Sequence, residues 1–441
     1  MSIPYRLVAI NVSRLAFPGP VVARWRGRFL LFCIWSLILL PVHAASDWPQ
    51  FLGPTRDGVY HGSAIASAWP KEGPPIVWHK EVGEGFSGLV VSGGKLILFH
   101  RREAREIVEC LAADSGKNQW SFDYPTSYRD DFGFDEGPRG TPSIDSGKVF
   151  TFGADGALHC LEFQTGRKIW SVDTKKEFAV DKGFFGPACS PLVESNVVIL
   201  QVGGKGGAGI VAFNSETGQL LWKATGHEAG YSSPVTGTIG GKRWLFCFTR
   251  SGLVALEPAN GRVIFEFPWR ARMHASVNAA TPRVIGDTIF LSASYDTGAI
   301  LLRFKETGPE RLWSGDDILS CHYATGVHRE GFLYGIDGRA DPGFSPAPSL
   351  RCVELKTGKV RWAKEGLGAG LLIQAGKHLL LMNDRGELIL ADASPDGFKE
   401  VSRAQILSRE VRAHPALADG LFFARSKNQL VCVDLRQNPK P

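Results

Sequence analysis

Residues Thr141–Trp170 read TPSIDSGKVFTFGADGALHCLEFQTGRKIW. The stretch holds three short apolar runs separated by Gly-containing turns, and it ends on a Trp four residues after a Thr-Gly pair. Short apolar runs bounded by Gly and Asp are typical of β-hairpins. The stretch therefore predicts consecutive antiparallel strands.

The same turn recurs along the chain, with intervals of 39 to 52 residues between its glycines. Its members are Ser115–Gly116, Thr165–Gly166, Thr217–Gly218, Asn260–Gly261, Thr307–Gly308, Thr357–Gly358 and Asp396–Gly397. In most units an aromatic residue follows four or five positions later: Trp120, Trp170, Trp222, Phe265, Trp313 and Trp362. Most units also share a short segment in which a Pro precedes an apolar run, as in GTPSI, CSPLV, SSPVT, ATPRV and AHPAL.

Units of four strands at this period are the blades of a β-propeller. The last unit, which begins at His414, has only three strands, and its missing strand is found at Pro74–Val82, with Trp78 at the expected place. Ring closure removes exposed strand edges. The sequence therefore predicts an all-β, eight-bladed propeller of four-stranded antiparallel blades, closed by an N-terminal strand that joins the last blade. Helix should be scarce.

The first 44 residues differ in composition from the rest. They hold five arginines and no acidic residue, and the apolar run Phe29–Leu40 precedes the small-residue sequence that ends at Ala44. These features are typical of a signal peptide. The alternative is a membrane anchor, but a helix of this run would reach only about 18 Å across roughly 30 Å of hydrocarbon.

The predicted organisation has four parts. Residues 1–44 are a signal peptide cleaved near Ala44 or Ala45, residues 45–73 an N-terminal extension, residues 74–435 the propeller and residues 436–441 a tail. The formal net charge is +6, and five of these charges lie in the leader. The remaining charge of +1 gives no footprint for nucleic-acid binding.

Seven cysteines lie outside the leader, with no CxxC pair among them. Such an odd and scattered set indicates neither a disulfide scaffold nor a zinc site. Four occupy one repeat position, six residues before the turn glycine or its equivalent: Cys110, Cys160, Cys352 and Cys432, where other units have Ala. A position shared by Cys and Ala indicates a small buried site in the core.

The units resemble the PQQ-like (pyrroloquinoline quinone-like) repeat in the segments CLAADSGKNQW, CLEFQTGRKIW, VAFNSETGQLLW and CVELKTGKVRW. The resemblance covers residues 74–435, and DWPQFLGPTRDGVY at Asp47–Tyr60 is similar to the N-terminal segment of exported bacterial members. The family includes quinoprotein dehydrogenases and an outer-membrane assembly lipoprotein that only binds partners. The resemblance implies the fold, but it does not single out one function, because members of the family have different functions.

In the dehydrogenases of this family, PQQ lies beneath a disulfide of adjacent cysteines, stacks on a Trp and is held with Ca²⁺ by Glu, Asn and a catalytic Asp. No two cysteines are adjacent here, and no Asp/Asn cluster at the spacing of a calcium loop is present in the sequence. We therefore expect no metal and no cofactor. PQQ with calcium remains the alternative.

In a propeller, the connection that enters the first strand of each blade lies at one mouth of the central channel. Here these connections are long and chemically mixed. Seven polar residues fall just before or at the start of these strands: Arg139, Tyr231, Asn278, His322, Tyr323, Arg412 and His414. We interpret them as candidate ligand-binding residues of a mouth funnel. The alternative is that they only solvate the channel.

The sequence favours an exported, monomeric and non-enzymatic propeller of the periplasm or cell envelope, without a transmembrane anchor in the mature chain. It would bind a protein partner or a small ligand at the loop-rich mouth. One alternative is a PQQ-dependent quinoprotein dehydrogenase. Another is an envelope or outer-membrane assembly scaffold that engages peptides along exposed strand edges.

The leader prediction can be checked by mass spectrometry of the protein recovered from envelope fractions. We expect a mature N-terminus at Ala45 or Ser46, because the small residues at Val42 and Ala44 suit signal peptidase. An intact Met1 in those fractions would contradict the prediction.

Overall fold

A computed structural model describes residues 46–274, 276–339 and 347–437. The predicted leader, and the end of the predicted tail, lie outside the described residues. The described chain forms eight four-stranded antiparallel sheets arranged as an eight-bladed propeller, which confirms the predicted fold class. First strands of neighbouring blades contact one another, so these strands surround the central channel.

Blades 1 to 4 each run in chain order from the inner to the outer strand. Their strands are β3 (Val90–Ser92), β4 (Lys95–Arg102), β5 (Arg105–Ala112) and β6 (Asn118–Pro125); β7 (Ser143–Asp145), β8 (Lys148–Phe152), β9 (Ala157–Glu162) and β10 (Lys168–Asp173); β11 (Leu192–Glu194), β12 (Val197–Gly204), β13 (Ala208–Asn214) and β14 (Leu220–Ala224); β15 (Val235–Ile239), β16 (Lys242–Phe248), β17 (Gly252–Leu256) and β18 (Val263–Pro268).

Blades 5 to 8 repeat this order, except that the outer strand of blade 8 comes from the start of the propeller. Their strands are β19 (Arg283–Ile285), β20 (Thr288–Ala293), β21 (Gly298–Arg303) and β22 (Glu310–Gly315); β23 (Val327–Arg329), β24 (Phe332–Asp337), β25 (Ser349–Glu354) and β26 (Val360–Lys364); β27 (Gly370–Ala375), β28 (His378–Asn383), β29 (Glu387–Asp392) and β30 (Glu400–Gln405); β31 (Ala416–Ala418), β32 (Leu421–Arg425), β33 (Gln429–Asp434) and β2 (Ile76–Glu81).

The ring closes where β2 pairs antiparallel with β33, and Trp78 lies opposite Cys432. This pairing confirms the predicted closure by an N-terminal strand. Two further elements stand outside the repeat: β1 (Val59–Tyr60), which adds parallel to β27, and the helix α1 (Thr174–Phe178). Among the described residues, no helix is long and apolar enough to cross a membrane.

The recurring tryptophans dock each blade onto the next. In six blades the indole Nε1 of the outer strand donates to a backbone carbonyl of the following blade, at 2.8 to 3.1 Å. These bonds run from Trp78 to Ala113, Trp120 to Phe163, Trp170 to Ser215, Trp222 to Pro258, Trp313 to Leu355 and Trp362 to Ser394.

The turn glycines are needed for this docking. Gly116, Gly166, Gly218, Gly261 and Gly358 have φ between 68° and 73°, which side chains rarely adopt. A Cβ at any of these five positions would also lie less than 3.0 Å from the indole of the preceding blade. The Gly of the turn and the Trp of the repeat are therefore two halves of one contact between blades.

A second contact links the blades around the channel. A backbone N–H of one blade donates to a side-chain hydroxyl oxygen of the next blade, at 2.9 to 3.2 Å. The hydroxyl belongs to the residue that directly precedes the repeated Pro, or to its equivalent where the Pro is missing. The series starts at Gly88 of blade 1. We call the accepting residues the hydroxyl belt: Thr141, Ser190, Ser233, Thr281 and Thr325. In blade 8 the equivalent residue is His414, followed by Pro415.

All seven cysteines of the described residues are free and buried. Cys110, Cys160, Cys352 and Cys432 have no measurable exposure and lie in clusters of apolar residues between adjacent blades. The prediction that these four are core residues is confirmed.

Replacing one docking tryptophan, as in Trp170→Ala, should destabilise the protein by about 3–5 kcal/mol, because it removes a buried aromatic side chain and leaves a cavity between blades 2 and 3. The measurement is urea denaturation followed by circular dichroism. Ile169→Ala, at the adjacent exposed position of β10, is the control and should change stability by much less. Equal losses in the two variants would contradict the docking role.

Candidate functional site

A cavity of about 540 Å³ lies at the mouth of the channel where the chain enters the inner strands. Its volume lies in the range typical of small-molecule sites. The walls come mainly from connections that precede the first strand of each blade, and the residues of the hydroxyl belt at Thr141, Ser190 and Ser233 take part. The cavity is therefore built by the repeat, at the same place in successive blades.

One repeat position supplies most of the chemistry of this wall. Two residues before the belt position, seven blades each contribute a lining residue: Phe86, Arg139, Ala188, Tyr231, Ala279, Tyr323 and Arg412. We call these seven the outer ring. Its backbone positions repeat, while its side chains vary between aromatic, small and cationic, so the ring has a chemically distinct side at blades 8, 1 and 2.

On that side, two arginines flank one aromatic ring. The guanidinium carbon of Arg139 lies 5.9 Å from the centroid of Phe86, and that of Arg412 lies 5.5 Å from the same centroid. Arg412 also lies 4.9 Å from the ring of Phe134. Cations at these distances from aromatic faces are attracted to them.

The two arginines differ in how they are held. Arg139 donates to the carbonyls of Asp135 and Gly137, at 2.9 and 3.2 Å, and its Nη2 lies 3.9 Å from the buried carboxylate of Asp130. Arg412 makes no hydrogen bond or ion pair with any residue in the described part of the chain. Arg139 is therefore fixed by its own loop, while Arg412 keeps its donors for another partner.

Phenylalanines from two loops form the neighbouring wall. Phe132 and Phe134 come from the connection between blades 1 and 2, and Phe184 and Phe185 from that between blades 2 and 3. Their ring centroids lie 5.1 to 6.4 Å apart. The hydroxyl oxygen of Tyr231 accepts the backbone N–H groups of Phe184 and Phe185, each at 3.0 Å, and so fixes this wall.

His414 is the member of the cavity wall that departs from the belt pattern. It is 6% exposed, and its Nδ1 lies 3.1 Å from the carbonyl oxygen of Pro415. Its buried Nε2 has no hydrogen-bond partner among the residues that the structure describes. Burial lowers the pKa of His414 from its usual value of 6.5 to about 4, so the ring is neutral at pH 7.

Residues 46–66, here called the strap, cross the channel on the side of the cavity away from the entry loops. The strap contacts six blades, through the pairs Trp48 with Val91, Pro49 with Ile144, Arg56 with Ser190 and Pro191, Arg56 with Arg283, Gly58 with Gln374, Tyr60 with Gly420 and Ile65 with Arg436. Phe51 of the strap lines the cavity and packs edge-on against His414, with centroids 5.5 Å apart. The strap therefore provides the cavity with its floor.

The structure brings six of the seven candidate residues to this one cavity: Arg139, Tyr231, His322, Tyr323, Arg412 and His414. Asn278 is not part of the lining. It is buried, and its amide donates to the carbonyls of Thr249 and Trp269, at 2.9 and 3.2 Å. The backbone carbonyl of Asn278 accepts the backbone N–H groups of Tyr231 and Ser232. Asn278 therefore positions the loop that carries Tyr231.

Sequence reasoning missed the phenylalanine wall, Arg339 and the strap floor at Phe51. The phenylalanines lie in loops whose lengths differ between blades, so no repeat position identifies them. The FGFDEG and KGFFGP segments did contain a signal, because paired phenylalanines next to glycines in a polar loop lack a place in a strand pattern.

The residues of the cavity do not fit a calcium-bound PQQ. Within the described residues, no cluster of three or more His, Cys, Asp or Glu side chains could hold a metal ion. The lining includes three arginines, and neither a carboxylate nor a Trp among the described residues. Calcium requires six to eight oxygen ligands, and arginines in their place repel a divalent cation.

Comparison with known proteins relates residues 104–364 to the family model described as outer membrane protein assembly factor BamB. The curated relatives include quinoprotein alcohol dehydrogenase PedH of Pseudomonas putida KT2440, which is 26% identical over an alignment of 233 positions that covers 43% of this chain and 36% of that protein. A quinone-dependent alcohol dehydrogenase subunit of Komagataeibacter europaeus is 29% identical over 159 residues, 34% of this chain and 21% of the relative. The matches thus span about a third or less of these enzymes.

Solved structures share the fold at low identity. BamB of Moraxella catarrhalis has a TM-score of 0.58 at 15% identity, over 83% of this chain and 99% of that one. Quinohemoprotein alcohol dehydrogenase of Comamonas testosteroni has a TM-score of 0.66 at 13% identity, over 90% of this chain and 82% of that one. These similarities support the propeller fold. At this level of identity they do not indicate the function, which has to be argued from the residues of the cavity.

The neutral state of buried His414 predicts a pH dependence of stability. Its folded pKa of about 4 lies below the usual 6.5, so its contribution is complete above pH 6.5 and is lost as the pH falls toward 4. His414→Thr should flatten the stability profile between pH 6.5 and 4, by up to about 1.4 kcal/mol per pH unit. Urea midpoints at a series of pH values measure this, with the exposed His61→Thr as the control. A His414→Thr profile parallel to that of the unmodified protein would contradict it.

Proposed function

The chain belongs to the PQQ-like repeat family described as outer membrane protein assembly factor BamB, and from that premise we propose that it is an exported, non-enzymatic propeller that binds a small anionic ligand with a flat apolar body in its central cavity. The observation that carries the proposal is the pair of arginines whose guanidinium carbons lie 5.9 and 5.5 Å from the ring centroid of Phe86, in a wall without carboxylates among the described residues.

The charge of the ligand follows from the state of the two arginines. A guanidinium withdrawn from water beside aromatic rings is costly unless an anion pairs with it. Arg139 bonds two carbonyl oxygens and lies 3.9 Å from the carboxylate of Asp130. Arg412 lies beside the rings of Phe86 and Phe134, and it is close enough to Asp384 to offset part of the rise that burial causes in the pKa of that carboxyl. A carboxylate or phosphate in the cavity beside Phe86 would accept charge-assisted hydrogen bonds from these guanidinium groups.

The flat apolar body follows from the rest of the wall. Phe51, Phe86 and the four loop phenylalanines line one cavity, and aromatic rings pack best against another flat ring, offset or edge-on. The strap beneath the cavity restricts entry to the loop side. A concave site of this volume supports a small ligand over a large flat protein interface.

The dehydrogenase alternative receives less support from this site. The curated relatives of the chain include quinoproteins, but its cavity residues do not fit calcium-bound PQQ. The seven cysteines of the described residues also form no disulfide. The family description supports an envelope location and leaves room for a protein partner outside the cavity. The mouth arginines instead favour a binding role for the cavity itself.

The experiment is calorimetric titration with 2-naphthoate and with its neutral amide, 2-naphthamide. The carboxylate should bind at least tenfold more tightly, because only the anion makes charge-assisted bonds, worth about 1.5–3 kcal/mol each. Arg139→Met and Arg412→Met should each weaken binding of 2-naphthoate by about 10- to 100-fold. Arg311→Met, at an exposed position of β22, is the matched control and should leave the affinity unchanged.

Two results would overturn the proposal. One is equal affinity for the acid and the amide. The other is alcohol-dependent dye reduction after incubation with PQQ and Ca²⁺, which would favour the dehydrogenase alternative. We expect no such reduction, because no oxygen cluster for the calcium is present among the described residues.

A further inference from the structure

The backbone of the phenylalanine wall is held by a side chain that comes from another blade. Residues 179–191, which include Phe184 and Phe185, lie outside every helix and strand, so no ladder of hydrogen bonds fixes their conformation. The backbone N–H groups of Phe184 and Phe185 instead donate to one atom, the hydroxyl oxygen of Tyr231, each at 3.0 Å. Because backbone N–H groups need acceptors, the conformation of this loop depends on Tyr231.

Tyr231 reaches the wall from a fixed base. It belongs to the connection that enters blade 4, and its backbone N–H donates to the carbonyl oxygen of Asn278 at 2.8 Å. Its ring meets that of Phe185 edge-on, with centroids 5.7 Å apart. Burial raises the pKa of Tyr231 above its usual value of 10. The hydroxyl is therefore protonated at pH 7, and the two lone pairs of its oxygen accept the two N–H groups.

Two glycines shape the loop around this hydroxyl. Gly183 and Gly186 flank the phenylalanines and have φ of 61° and 68°, which side chains rarely adopt. A Cβ at Gly183 would lie 3.3 Å from the hydroxyl oxygen of Tyr231, and a Cβ at Gly186 would overlap the carbonyl oxygen of Ala154. The glycines therefore let the backbone pass close enough to Tyr231 for both N–H groups to reach it.

The ring of Phe185 joins the two parts of the binding wall. Its centroid lies 5.1 Å from that of Phe132 and 5.7 Å from the guanidinium carbon of Arg139. Phe184 and Phe185 are half-buried and line the cavity, so part of each ring is open to it. Arg139 is held separately, by two carbonyls of its own loop. A movement of the Phe185 backbone would therefore change the apolar wall and leave the cation in place.

We propose that Tyr231 is a positioning residue that fixes Phe184 and Phe185, so that the cavity prefers a planar ligand body to a puckered body of the same charge. The inference rests on the proposed binding of an aromatic anion and adds the selection of its shape. A flat ring makes offset or edge-on contacts with a fixed aromatic wall, and a puckered ring makes fewer contacts at the optimal distance. Selection by charge belongs to the arginines, and selection by shape depends on the hydroxyl of Tyr231.

The first measurement needs no ligand. Tyr231→Phe removes the hydroxyl and keeps the ring, so the packing against Phe185 is retained. In hydrogen exchange followed by mass spectrometry, the peptide that contains Phe184 and Phe185 should exchange about tenfold faster in this variant, because two N–H groups lose their acceptor. The peptide that covers β24 (Phe332–Asp337) should exchange at the rate of the unmodified protein.

The second measurement is calorimetric titration with 2-naphthoate and with decahydro-2-naphthoate, its saturated and puckered counterpart. The unmodified protein should prefer the planar acid by about 5- to 10-fold, and Tyr231→Phe should reduce this preference to about twofold or less. The preference for 2-naphthoate over 2-naphthamide should not change. Tyr334→Phe, the same substitution at a buried ring of blade 6 outside the cavity lining, is the matched control and should keep both preferences.

The outcomes separate the two proposals. Unchanged exchange at Phe184 and Phe185 in Tyr231→Phe overturns the positioning role, and so does a planar preference that survives in this variant. Equal binding of the planar and puckered acids by the unmodified protein, with both stronger than the neutral amide, overturns the selection by shape and leaves the anion site standing. Absence of binding by every acid overturns the proposed function and the selection by shape together.

Discussion

The hydrogen bond from the backbone of one blade to the hydroxyl of the next, close to the channel, is the contact on which the site depends. It joins consecutive blades at the residue where the chain turns into its inner strand. A short hydroxyl side chain suits this place because it accepts the N–H without filling the channel. Since the outer ring lies two residues earlier, these five bonds, which join blades 1 to 6, position the outer-ring residues of those blades around one cavity.

The rim of the propeller uses a different contact for the same purpose. Each docking tryptophan packs its indole over a turn glycine and donates its single side-chain N–H to a backbone carbonyl of the next blade. The indole therefore packs against the next blade and donates its N–H there, so its part in the structure is to join blades. The repeated residues at the rim hold the blades together. The residues at the mouth are not needed for that contact, so their side chains can differ from blade to blade.

This division explains how much of the molecule was predictable from its sequence. The Gly-Trp contact recurs at one period, so blade number, closure by Ile76–Glu81 and the buried cysteines could be predicted from spacing alone. Candidate mouth residues followed from their place before each inner strand. Asn278 met the same general rule, but in its blade the outer-ring position is the next residue, Ala279, and the amide of Asn278 bonds the backbone instead. Phe51 and the phenylalanine wall lie in segments without a repeat, where only the folded chain brings them together.

The similarity to quinoproteins extends to the fold, while the residues of the cavity are specific to this chain. The propeller fold is shared with a solved quinohemoprotein, yet the cavity here offers cations and aromatic rings where calcium would need oxygen ligands. Arg139 and Arg412 come from blades 2 and 8, which become neighbours of blade 1 on both sides only because the ring is closed. Closure therefore does more than remove a strand edge: it places the first and last blades side by side and so brings both arginines close to Phe86. The strap lies beneath the same region, with Phe51 against His414 of blade 8. The asymmetry of the site thus follows from the one place where the repeat is interrupted.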